Sequence, residues 1–130
     1  DARLAMDHGV EGILVSNHGG RQMDMTLSSI ETLPEIVDAV DGRAEVYMDS
    51  GIRRGSDVLK ALALGARAVA IGRPFYWGLA VDGADGVHGV LEILRVELDR
   101  ALAYCGVTAV RDLRPGLVSI PQGWGVGTVR

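Results

Sequence analysis

A histidine and an arginine three positions apart, His18 and Arg21, stand in the string Ser16-Asn17-His18-Gly19-Gly20-Arg21-Gln22. A histidine with a pKa near neutrality can take a proton from a hydroxyl or from a carbon acid. An arginine close by in the same loop can clamp a carboxylate with its planar fork. The pair suits a small hydroxy acid. Taken alone, the string reads equally well as a glycine turn with a satisfied histidine. Two further strings carry different chemistry: Asp49-Ser50-Gly51-Ile52-Arg53-Arg54-Gly55 and Gly72-Arg73-Pro74. Gly51 and Gly72 let backbone N–H groups approach a ligand closely, and Arg53 and Arg73 offer planar donors to phosphate oxygens. Pro74 fits the first position of a short helix, whose free N–H groups and dipole favour an anion. One such loop is also what a turn beside a surface arginine looks like. Two in register favour a ligand.

Whether they are in register depends on the elements that precede them. Each string directly follows a short, nearly continuous apolar run: Gly12 to Val15, Glu45 to Met48, and Ala68 to Ile71. Unbroken apolar character is that of strands buried on both faces, as in parallel sheets. Helical patterns separate the runs. Ile30, Leu33, Ile36, Val37 and Val40 recur at three- and four-residue spacing, with Thr32 as a cap before Pro34, or Pro34 as a kink. Ser56 to Leu64 reads as a helix that Gly65 ends. A short segment from Pro74 to Ala80 precedes a long helix with Val87, Val90, Leu91, Leu94, Leu98, Ala101 and Leu102 on its apolar face. Alternating strands and helices mean an α/β fold with a parallel sheet and right-handed crossovers, open or closed into a barrel. All three strings then fall on one rim. Function in such folds collects on that rim.

The bulk composition is that of an ordinary globular chain: 130 residues, 48% hydrophobic and 23% charged. A net charge of -4 with no basic block favours neither nucleic acid nor an anionic membrane. No apolar run approaches the roughly 18 residues of a membrane span. The single Cys105 excludes an internal disulfide and fits a reducing, cytoplasmic compartment; a buried structural thiol is its default. No metal ligand set is assigned. The chain opens on Asp1 within a helical pattern, so it is expected to begin inside a longer protein. Tyr76 and Trp77 are expected to cover the short helix after the third loop. From Leu113 onward periodicity dissolves, and residues 114–130 are expected to form an irregular tail that wraps a neighbour or moves freely.

The string Val15-Ser16-Asn17-His18-Gly19-Gly20-Arg21-Gln22-Met23-Asp24 closely resembles the active-site segment of FMN-dependent 2-hydroxy acid oxidases and dehydrogenases. Asp49 to Val58, Lys60 to Ala66 and Ile71 to Pro74 agree in order and spacing, and the resemblance runs from Asp1 to about Leu113. It implies the C-terminal part of a (β/α)8 TIM barrel, about strands six to eight with their helices. It also implies FMN as cofactor, a small 2-hydroxy acid as substrate, and a homo-oligomer in the full-length protein. On this resemblance His18 takes the substrate proton, Arg21 binds the carboxylate, and Ser16 contacts the flavin. Asp49, Ser50, Gly51, Ile52 and Arg53 would line the ribityl chain and phosphate, with Gly72 and Arg73 closing on the phosphate. The family usually has glycine where this chain has Ser50, which costs backbone freedom there. The family's lysine, its substrate tyrosines and the aspartate paired with the histidine come from earlier strands and are absent from this chain. The second and third strings are also close to those of IMP dehydrogenases, which lack the histidine loop; a truncated chain without catalysis is the other alternative.

Overall fold

A computed structural model describes residues 1–121. In chain order the elements are α1 (Ala2–Asp7), β1 (Gly12–Val15), α2 (Ser29–Val40), β2 (Glu45–Met48), α3 (Gly55–Ala63), β3 (Ala68–Val69) and α4 (Arg73–Tyr104). Single 3-10 turns occur at His18–Gly20, Val110–Asp112 and Pro115–Leu117. The strands form one parallel sheet in the order β1-β2-β3. Val15 pairs with Met48 and Met48 with Val69, so the three strands finish level. The third apolar run contributes only Ala68–Val69 as strand, although the Ala70 N–H still reaches the Met48 carbonyl at 2.9 Å.

Side chains alternate across the sheet. Val15, Val46 and Met48 point into the helical layer and join Leu33, Val40, Val58, Ala61 and Leu64 in the core. Each such side chain contributes about 1.5–3 kcal/mol on full burial. The other face is open among the described residues, with Leu14 54% exposed and Ala68 exposed. Burial on both faces is therefore not met here. The reason is topological: a right-handed crossover repeated in one direction places every helix on the same side of the sheet. No helix among the described residues is long and apolar enough to cross a membrane.

The helix ends show which local signals govern them. Ser28, not Thr32, caps α2: the Glu31 carboxylate accepts the Ser28 backbone N–H at 2.8 Å and also its hydroxyl. Pro34 lies inside α2, beyond the first turn. Helix α3 starts at Gly55 and closes in a Schellman arrangement, with Gly65 N–H on the Leu62 carbonyl and Ala66 N–H on the Ala61 carbonyl. Gly65 has φ +105° there, and a Cβ would press on Val37 at 2.8 Å. Pro74 occupies the second position of α4, after the Gly72 cap and Arg73, where its missing N–H is still no loss. α4 breaks at Asp82 and Gly83 into limbs at 73–81 and 84–104, as the short-then-long pattern predicts. The limbs cross at Gly78 and Gly86, where a Cβ on either would run into the other's backbone.

Several apolar assignments fail. Leu91 is half exposed, and Tyr76 and Trp77 are 61% and 55% exposed, because that turn lies at the surface with a polar guanidinium, that of Arg53, over the Trp77 ring. Cys105 is exposed as the C-cap of α4, where the helix ends and the chain turns away through Gly106 at φ +67°. Of the expected irregular tail, Pro115–Leu117 makes its 3-10 turn beside α3, and Val118 packs against this chain's own core. Gln122 to Gly127, read as part of the same tail, lie outside the described residues.

α3 and α4 are bound most closely at Gly55. A Cβ there would overlap the backbone of Glu97 and Leu98. Gly55→Ala is expected to destabilise the chain by about 1–3 kcal/mol through overpacking; an unchanged denaturant midpoint would contradict this. Glu97 itself accepts the Gly55 N–H at 2.9 Å and the Arg54 guanidinium at 2.7 Å. These two contacts, the Gly55 N–H first, hold its carboxyl below the usual carboxylate range. A depressed folded-state pKa gives stability that is full above the unfolded value of about 4.3 and fades as pH falls through the lower folded value. Below about pH 4.3, then, wild type should lose stability with falling pH more steeply than Glu97→Gln, as read from unfolding midpoints across that range.

Candidate active site at the strand ends

The level strand ends bring the three strings side by side. After Val15, the chain turns through His18, Gly19 and Gly20, all at positive φ (+54°, +65° and +69°). Left-handed backbone costs a histidine roughly 1 kcal/mol or more, so the turn must be over-determined. It is. The Ser16 hydroxyl accepts the His18 N–H at 3.1 Å, and the Asn17 side chain accepts the Gly19 N–H at 3.0 Å. The Asn17 N–H in turn reaches the hydroxyl of Ser29, a buried polar residue in the first turn of α2. His18 and Arg21 are exposed on the surface of this turn.

The second string is fixed from its helical end. Asp57, in the first turn of α3, accepts the N–H groups of Arg53 and Arg54, both at 3.0 Å. The Arg53 guanidinium then folds back on the Ile52 carbonyl at 2.8 Å and lies over the Trp77 ring, 5.3 Å from its centre. A cation over an indole face is stabilised by roughly 0.5–1 kcal/mol at exposed sites, which gives Trp77 an occupation despite its exposure. Ile52 is buried in the core at 2% exposure and anchors the loop. Ser50 has φ +70°, the left-handed conformation that favours glycine. Its hydroxyl donates to Asp49 Oδ1 at 2.7 Å. From the third string, Arg73 Nη2 donates to the Gly19 carbonyl at 3.2 Å.

One cleft of about 220 Å³ results, lined by His18, Arg21, Asp49, Ser50, Gly51, Ile52, Arg53, Gly72 and Arg73. Ser16 lies outside it and lines the neighbouring hollow with Asn17 and Gln22. Sequence reasoning missed Ser29, Asp57 and Trp77, which hold the loops from neighbouring elements. Asp57 could have been found as an acid in the first turn of a helix; Ser29 and Trp77 carry no signal without the tertiary structure. Among the described residues no group of three or more His, Cys, Asp or Glu could hold a metal ion.

The donors fit a phosphate. Three arginines border the cleft, Arg21, Arg53 and Arg73, and the Cβ positions of Gly51 and Gly72 open on space with nothing within 4 Å. Strands, loops and cleft together define an α/β chain that gathers a histidine and three arginines on one rim of a parallel sheet. The chain belongs to the FMN-dependent dehydrogenase family, whose model matches residues 1–120. It is 57% identical over 122 residues to 2-hydroxyacid oxidase 2 of Rattus norvegicus, covering 94% of this chain and 35% of that protein. To the L-lactate oxidase of Nostoc sp. it is 54% identical over 113 residues, covering 87% of this chain and 31% of that one. A solved structure of mandelate oxidase with (S)-2-phenylpropionate superposes with a TM-score of 0.83 at 54% identity, covering 88% of this chain and 34% of that chain. The chain thus spans about a third of the length of the relatives it matches.

A phosphate reader should discriminate ligands by their phosphate. In the complete protein, Arg73→Ala is expected to weaken FMN by about ten- to a hundredfold and riboflavin little, the loss of one charge-assisted hydrogen bond. Equal weakening of both, by fluorescence titration, would show that Arg73 does not read the phosphate.

Proposed function

We propose that this chain supplies the catalytic rim of an FMN-dependent enzyme that oxidises a small (S)-2-hydroxy acid to the 2-oxo acid. Its strands are then strands six, seven and eight of a (β/α)8 barrel, with residues 1–113 forming the C-terminal portion of the catalytic domain and 114–130 a segment beyond it. The observation that carries this reading is the single cleft in which His18 and Arg21 stand beside Arg53 and Arg73. Family membership supports it, as do relatives named for 2-hydroxy acid, lactate and mandelate oxidation.

Oxidation of a 2-hydroxy acid removes two electrons and two protons. FMN, when bound, supplies the electron acceptor. Arg53, Arg73 and the backbone at Gly51 and Gly72 would hold its phosphate, Asp49, Ile52 and Arg53 would flank the ribityl chain, and Ser16 would contact the flavin. Arg21 pairs with the substrate carboxylate and so fixes which way the hydroxyl-bearing carbon points. His18 takes the proton from the hydroxyl or the α-carbon. The strained turn keeps its ring at the rim, where a substrate can reach it.

The two residues should fail differently in the complete flavoprotein. His18→Gln is expected to slow flavin reduction by at least roughly 10²–10⁴-fold with FMN still bound. Arg21→Lys is expected mainly to raise the apparent substrate dissociation constant and to weaken oxalate and 2-oxo acid inhibition, since an ammonium lacks the bidentate fork. Single-turnover bleaching of the flavin against substrate concentration separates the two. Wild-type reduction by His18→Gln would make the histidine a loop residue only.

A further inference from the structure

Both polar groups of the Gly19 peptide are held from outside its own loop. Ser50 Oγ accepts the Gly19 N–H at 3.1 Å, and Arg73 donates to the Gly19 carbonyl at 3.2 Å. Gly19 immediately follows His18, so these contacts tie the histidine turn to the ends of β2 and β3. Space confirms the tightness: a Cβ at Gly19 would sit 2.8 Å from the Arg73 guanidinium. Arg73 has an evident further purpose in the anion site. Ser50 does not, and it stands at φ +70°, where a non-glycine side chain costs of the order of 1 kcal/mol. Glycine would meet the backbone requirement at no cost. What serine adds is a hydroxyl whose single hydrogen goes to Asp49 Oδ1 at 2.7 Å, leaving a lone pair aimed at Gly19.

Resting on the reading of His18 as the base, we propose that Ser50 is a positioning residue for His18. Its hydroxyl acts on the turn through Gly19 and is not a ligand of the flavin. Asp49 orients the hydroxyl as an acceptor, and the hydroxyl braces the turn at the one N–H that lies between the histidine and the glycine pair. Asn17 shares that N–H from within the same loop and shapes the turn; Ser50 sets where the turn sits relative to the anion loops.

The pair Ser50→Ala and Ser50→Gly tests this in the complete, FMN-loaded flavoprotein. Both remove the hydroxyl, but alanine keeps the backbone strain and glycine relieves it. Reduction is measured with whichever of L-lactate, glycolate or (S)-mandelate bleaches the wild-type flavin fastest. At saturating substrate both variants should reduce their flavin roughly 10- to 100-fold more slowly, the size of effect that a misplaced reacting group produces. FMN and substrate dissociation constants should stay within about twofold, marking an interaction needed in the chemical step alone. Ser50→Gly should melt at or above the wild-type temperature. Without substrate, amide exchange in residues 16–22 should be faster in both variants. A rate loss confined to the less stable alanine variant would mean a merely structural role and overturn the proposal. A parallel loss of FMN affinity would make Ser50 a cofactor ligand and overturn it too. Wild-type rates or wild-type exchange in both variants, beside a slow His18→Gln, would sink the Ser50 proposal alone; a fast His18→Gln would sink the reading beneath it.

Discussion

One row of the sheet, Val15 beside Met48 beside Val69, fixes where the three cleft-lining loops lie. A slip of one residue in either pairing would turn Val15 or Met48 out of the core, because side chains alternate with a period of two. Apolar burial therefore holds the register, and the register holds the loops. Residues 16, 49 and 70 leave the sheet at one height, and His18, Asp49 and Gly72 of the cleft follow the strand ends within a few positions. The cleft sits on the backbone positions that the core leaves least free.

Above that row the loops are built in a different way. Their interactions are polar, directed and mutual. Asp57 and Glu97 bind N–H groups at the start of α3, Ser29 binds that of Asn17, and Ser50 and Arg73 hold Gly19 from both sides. Each contact is modest, about 0.5–1.5 kcal/mol, rising to 1.5–3 where a charge takes part. Together they outweigh the cost of holding His18 and Ser50 in the left-handed region. Strain at these two residues, each followed directly by a glycine at positive φ, marks the place where geometry has been kept at the expense of stability.

Much of this was legible in the sequence. The apolar runs located β1 and β2 residue for residue, and the strings after them named the residues that line the cleft, because sharp changes from apolar to glycine-rich sequence are local signals. Errors came where neighbours decide. Thr32 has the chemistry of a cap, but Glu31 reaches back to Ser28 and moves the helix start forward. Trp77 has the composition of a core residue, yet its ring carries Arg53 from the far side of the cleft. Cys105 looks like a small apolar filler, and only its place as the exposed C-cap of α4 shows that it is not. Ser50 was legible as a departure from glycine; its partner Gly19, 31 residues away in the chain, was not.

The sequential order of the strands bears on how the molecule comes into being. Each strand pairs with the one made just before it, so every unit leaving the ribosome finds its docking edge already formed. Such nearest-neighbour growth keeps loop closure short and lets helices settle one at a time. The cleft follows another schedule. It draws on all three loops, and Arg73, which completes the grip on Gly19, arrives last. Until β3 has docked, Gly19 lacks one of its two outside supports. The geometry of the cleft is in this sense the final product of assembly, reached only after the framework beneath it is already in place.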